Sequence, residues 1–68
     1  MDYGKLIRKE RRNANITQIQ LAGILGVSHQ LIGAWERGQR RISVDKADEL
    51  FKALGVEVVI GGKYKEEE

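Results

Sequence analysis

Gly26 is the residue that most constrains this chain. It separates two segments of helical periodicity, each opened by its own hydroxyl cap, with so little sequence between them that the helices must cross steeply. Thr17 can accept from the backbone N–H three residues on while Gln20 reaches back, the reciprocal pairing of a capping box. The helix opened in this way runs to Leu25. Ser28 caps the next one, which runs to about Arg37 and stops at Gly38. At Gly26 the chain must turn with φ > 0, where glycine carries no steric penalty. Ala22 has the small side chain a close crossing needs, and Leu21, Leu25, Val27, Ile32 and Trp35 supply the shared apolar interior. Bulk at Ala22 or Gly26 is expected to push the two helices apart.

Two further helices flank this pair. Tyr3, Leu6, Ile7 and Glu10 follow helical spacing over residues 2–13, and Asn15 suits the left-handed position that ends a helix. Ser43 caps a fourth helix in which Val44, Ala47, Leu50, Phe51 and Leu54 share one stripe. Asp45 in its first turn complements the helix dipole, and Gly55 ends it. Beyond it, Val56-Glu57-Val58-Val59-Ile60 is β-branched apart from the glutamate, and Gly61-Gly62 closes the run. One strand cannot satisfy its own backbone hydrogen bonds, so the simplest partner is the same segment of a second copy. The expected architecture is all-α: a compact four-helix domain over residues 1–55 and a short dimerisation strand within 56–62. Val56, Val58, Val59 and Ile60 carry the pairing, and a frayed acidic tail follows over 63–68.

Composition narrows the function classes. A chain of 68 residues buries only about 60% of the surface its unfolded form exposes, and with no cysteine it has no disulfide or thiolate metal site to add stability. A single histidine, His29, builds no metal site, and no cofactor is expected. No acid–base pair, nucleophile–base set or phosphate-binding loop accompanies it, so the chain does not read as an enzyme. The opening Met1-Asp2-Tyr3-Gly4 runs straight into charged residues, unlike a signal peptide, and no apolar run approaches the roughly 20 residues of a bilayer span. A cytoplasmic protein with no membrane partner is the expectation. The net charge of +2 conceals an asymmetry: residues 5–41 hold eight Lys and Arg against two Glu, and the remainder holds four against eight acidic residues. A face that meets a polyanion would look like this; charge alone fits an ordinary solvated surface equally well.

The stretches Thr17-Gln18, Leu21-Ala22, Leu25-Gly26-Val27-Ser28, Ile32, Trp35-Glu36, Gly38 and Ala53-Leu54-Gly55-Val56 resemble the lambda-repressor-like, Xre-type helix-turn-helix family over residues 7–55. The resemblance implies sequence-specific binding of double-stranded DNA by a homodimer. It implies a transcriptional repressor on a near-palindromic operator, at the nucleoid of a bacterium or in a phage system. It also implies a partly buried ion pair between Arg11 and Glu36, clamping the first helix to the end of the third. Gln18 would touch a phosphate at the start of the second helix, where free N–H groups and the dipole favour an anion.

In this family the start of the third helix enters the major groove, which leaves Ser28, His29, Gln30, Gly33 and Ala34 as the base-reading set. Gln30 leads, because glutamine can bond bidentately to adenine. His29 donates to guanine or a phosphate, or is an exposed cap residue with no role. Gly33 lets the backbone close on the bases, or is simply tolerated; Ala34 suits a thymine methyl. Arg37, Arg40 and Arg41, at and after the end of that helix, would grip phosphates. Leu31 departs from the small or polar residue usual at its position, and a thymine methyl and a protein contact both stay open for it. Ile42 stands where a proline is common, which leaves the path of the arginine loop open. Finally, the segment after the fourth helix resembles the tail of small antitoxins of the HipB kind. That gives an alternative function, operator binding combined with neutralisation of a partner toxin.

Overall fold

Each helix begins where a side chain replaces the backbone acceptor that its first turn lacks. In the computed structural model, which describes residues 2–56, Asp2 opens α1 (Tyr3–Asn13), its Oδ1 accepting from the Lys5 N–H at 3.1 Å. Thr17 opens α2 (Gln18–Leu25), and both halves of the capping box form. The Gln20 N–H donates to Thr17 Oγ1 at 3.0 Å, and the Thr17 N–H donates to Gln20 Oε1 at 2.8 Å. Ser28 opens α3 (His29–Arg37) and Ser43 opens α4 (Val44–Ala53). The four helices expected from the sequence are present, and the described residues contain no strand.

Asn15 takes φ = 61°, so the left-handed end expected for α1 is found, with Ile16 N–H returning to Arg11 O at 3.2 Å. Gly26 takes φ = 71°, and the amides of Gly26 and Val27 both donate to Ala22 O. A Cβ built on Gly26 would meet nothing within 4 Å. Glycine there serves the backbone angle alone, which corrects the expectation that bulk at this position would force the helices apart. Ala22 does sit in the crossing, only 4% exposed. A close backbone approach lies elsewhere, where α1 meets the last turns of α3. A Cβ on Gly4 would fall 2.6 Å from Trp35 O and 2.8 Å from Glu36 O.

The core is drawn from all four helices: Ile7, Leu21, Ala22, Ile32, Trp35, Ala47, Leu50 and Phe51, joined by Ile42 from the loop before α4. Burying an aliphatic or aromatic side chain of this size contributes about 1.5–3 kcal/mol. α3 packs against both α1 and α2, while α4 rests on α2. Ile42 settles the path of the arginine loop, because its buried side chain ties that loop to the core. Val44, expected on the buried stripe of α4, is 42% exposed. It belongs to the first turn, and Ile42 is the residue that is buried at this end.

Val56 requires a correction. Read from sequence as the first residue of the strand, it closes α4 instead. Its N–H donates to Phe51 O at 2.9 Å and that of Gly55 to Lys52 O at 3.0 Å, a Schellman motif. The Val56 side chain, half-buried, packs on the core. Amide and side chain are thus both committed within the protomer. Val58, Val59 and Ile60, and with them the expected pairing across a dimer and the acidic tail, lie outside the described residues.

Candidate nucleic-acid interface

α3 presents two chemically different sides. Ile32 and Trp35 turn inward, and Ser28, His29 and Gln30 stand exposed at its capped start. Ser28 Oγ accepts from the Leu31 N–H at 3.2 Å, so the hydroxyl hydrogen remains available to donate outward. Ala34 and Leu31 are half-buried, and Leu31 packs against the edge of the core. That contact accounts for an apolar residue at a position where a small or polar one is usual.

The far end of α3 is fixed by the expected clamp. Arg11 Nε donates to Glu36 Oε2 at 2.7 Å and its Nη2 to Glu36 Oε1 at 3.2 Å, while Nη1 reaches Ile16 O at 2.9 Å. The Glu36 side chain is 3% exposed and that of Arg11 12%. Burial on its own would raise the Glu36 pKa. Hydrogen bonds from Arg11 and Gln18, with the positive charges of Arg11 and Arg8, outweigh it and hold the carboxyl below its ordinary value. The group is therefore a carboxylate at neutral pH. The geometry is the bidentate fork that makes an arginine–carboxylate pair strong and directional.

Gln18 enters this network without any local signal in its sequence context. Its Nε2 donates to Glu36 Oε1 at 3.1 Å, and the side chain is half-buried. One amide hydrogen is thereby committed inward and the second is not, while in the first turn of α2 the Gln20 N–H is already taken by Thr17 Oγ1 and those of Gln18 and Ile19 lie ahead of it at the helix start. Gln18 and His29 line one groove together with Thr17, Ile19, Arg11 and Arg12. The starts of α2 and α3 are thus brought beside the basic end of α1.

Arg40 and Arg41 stand exposed on a different side. They line a second groove with Asp2, Tyr3, Trp35 and Val44, and no ion pair engages either among the described residues. Arg37 is exposed but not loose: Gln39 Oε1 accepts from its Nε at 3.2 Å and its Nη2 at 3.1 Å. Its guanidinium lies over Gly33, where a Cβ would meet Nη1 at 2.9 Å. Gly33, expected to offer bare backbone, is therefore buried. Gln39 escaped the sequence reading because nothing in its local pattern distinguishes it from any polar loop residue. Among the described residues no group of His, Asp and Glu could hold a metal ion, and no helix is long and apolar enough to cross a membrane.

Comparison with known proteins agrees with this geometry. A family model described as helix-turn-helix matches residues 7–60. An uncharacterized HTH-type transcriptional regulator of Mycobacterium tuberculosis (strain ATCC 25618 / H37Rv) is 40% identical over 53 residues, covering 78% of this chain and 38% of that protein. An uncharacterized transcriptional regulator in the ATPase CF(0) region of Rhodospirillum rubrum is 38% identical over 55 residues, covering 81% of this chain and 51% of that protein. The chain thus spans about half the length of these relatives or less. No solved structure matches it significantly.

Proposed function

Because the chain belongs to the Xre-type helix-turn-helix family of DNA-binding transcriptional regulators, we propose that it is a dimeric cytoplasmic repressor of a near-palindromic operator. Ser28, His29, Gln30 and Ala34 meet base edges in the major groove, while Gln18, Arg40 and Arg41 hold the flanking phosphates. One observation carries this reading: α3 buries Ile32 and Trp35, is locked at its far end by Glu36, and leaves its capped polar start exposed. A helix fixed at one end and open at the other can enter a groove without rearranging the core. Two copies related by a two-fold axis place two such helices about 34 Å apart, one turn of DNA. The β-branched run after α4 supports pairing between the copies, and it is also what favours the second reading, an antitoxin with a toxin partner. Co-purification of a second chain from cells expressing the neighbouring genes separates the two.

The test is enrichment of bound sites from random duplexes, followed by titration across salt. An inverted repeat should emerge, with half-sites one turn apart. With Arg40 and Arg41 of both protomers on phosphates, log K should fall against log salt with a slope of roughly −4. No affinity for any duplex at low ionic strength would overturn the proposal. A chain ending at Val56 should sediment as a monomer while the full chain sediments as a dimer. A dimeric short form would refute the strand-mediated pairing.

A further inference from the structure

Gln30, Gly33 and Arg37 are spaced so that they share one stripe of α3, the stripe that begins at its exposed start. The middle position of that stripe has no side chain of its own. The space above it is filled from one turn further along, because the Arg37 side chain runs back toward the start of the helix, as helical side chains do. Its guanidinium seats on Gly33, with Nη1 at 2.9 Å, Cζ at 3.6 Å and Nη2 at 3.7 Å from where a Cβ would stand. A methyl group at position 33 would push the guanidinium off that seat.

The seat is also oriented. Gln39 follows the Gly38 cap, and its backbone is pinned there by its N–H donating to Ala34 O at 2.9 Å. From this fixed point Gln39 Oε1 accepts from Nε and Nη2 of Arg37, which occupies one edge of the guanidinium. Of the remaining donors, one hydrogen of Nη1 and one of Nη2 lie parallel at the end of the guanidinium, and two parallel N–H donors are what guanine O6 and N7 accept. The resemblance to the family assigns Arg37 to a phosphate, and the sequence offers no role for Gln39.

We propose that Arg37 is a base-reading residue that selects a guanine in each half-site, with Gly33 as its seat and Gln39 as its positioning residue. The inference rests on the DNA-binding reading above and deepens it. Arg37 supplies to the centre of the reading face the side chain that Gly33 lacks, and Gln39 limits the directions in which it can point.

The experiment takes a duplex recovered by enrichment, substitutes each half-site position in turn, and measures affinity for the full-length parent, Arg37→Ala, Arg37→Lys, Gly33→Ala and Gln39→Ala. Thermal melting checks that each variant folds. The parent should prefer G·C at one position by roughly 5- to 150-fold, the range expected of a bidentate contact. Arg37→Ala and Arg37→Lys should both lose that preference, lysine because it keeps the charge without the fork. Gly33→Ala and Gln39→Ala should weaken it at the same position and no other. Arg37→Ala weakening every duplex by one common factor, or Arg37→Lys retaining the preference, would overturn the inference and leave the DNA-binding reading standing. Failure of the parent to bind any duplex would overturn both.

Discussion

Gly4→Ala and Gly23→Ala make the same chemical change in two helices, and the structure gives them opposite signs. At Gly4 the new Cβ would lie 2.6 Å from Trp35 O and 2.8 Å from Glu36 O. Both are backbone atoms of α3 and cannot rotate aside, so α1 and α3 must move apart and disturb the packing of Ile7 between them. Overpacking of a well-filled site costs about 1–3 kcal/mol, and two backbone obstacles place this case at the upper end. Replacing a helical glycine recovers about 1 kcal/mol, so the net loss is about 2 kcal/mol. At Gly23 a Cβ meets nothing within 4 Å, so only the gain of about 1 kcal/mol remains. For a domain of this size each kcal/mol moves Tm by roughly 4–8 °C. Thermal unfolding followed by circular dichroism should therefore place Gly4→Ala roughly 8–16 °C below the parent and Gly23→Ala roughly 4–8 °C above it. A Gly4→Ala protein melting at or above the parent temperature would refute the close approach of α1 to α3. If Gly23→Ala fell as well, the loss at Gly4 could not be credited to that contact.

Four further substitutions probe the clamp, the proposed reading face and the proposed phosphate contacts. Arg11→Ala leaves the Glu36 carboxylate buried with only Gln18 donating to it, and should destabilise by about 3–5 kcal/mol in denaturant titration. An unchanged midpoint would dismiss the clamp. Folding lowers the Glu36 pKa from its ordinary 4.5, so its contribution is complete above that value and is lost as pH falls through the lower folded value. The parent should weaken below about pH 4.5 more steeply than Glu36→Gln, and parallel acid profiles would contradict this. Gln30→Ala should relax preference at one base position, whereas Arg41→Ala should weaken all duplexes alike and make the salt slope shallower by about 2 per dimer. Competition binding with scrambled duplexes distinguishes the two patterns, and a reversed pattern would reassign both residues.

Much of the fold was legible because its signals are local. Thr17 with Gln20, Ser28, Ser43, Asn15 and Gly26 each act within four residues of themselves, and each does in the structure what its spacing implies. The pairing of Arg11 with Glu36 was legible only through the family resemblance, because nothing in a single sequence links residues 25 apart. Gly4 was missed for the same reason: its constraint comes from the carbonyls of residues 35 and 36, which only the packed structure brings near. Val56 was misread because a β-branched residue after a helix fits two roles, the first position of a strand and the apolar closing residue of a cap. The β-branched content of Val56-Glu57-Val58-Val59-Ile60 favoured the first, while the hydrogen bond to Phe51 O establishes the second.

α3 is where stability and the proposed recognition become inseparable. It packs on both α1 and α2, and its last turns carry the two carbonyls that meet Gly4, the carboxylate held by Arg11 and Gln18, and the guanidinium seated on Gly33. In a chain this short there is no surplus core to hold a recognition helix independently, so the residues that fix its pose are also those that keep the domain folded. The Gln18 amide is the sharpest instance. It donates to Glu36 at the centre of the clamp and starts the helix whose first turn faces the proposed phosphate. Binding an anion at that turn would therefore tighten the contact that orients α3, and a substitution that loosens Glu36 should lower affinity even where the protein remains folded.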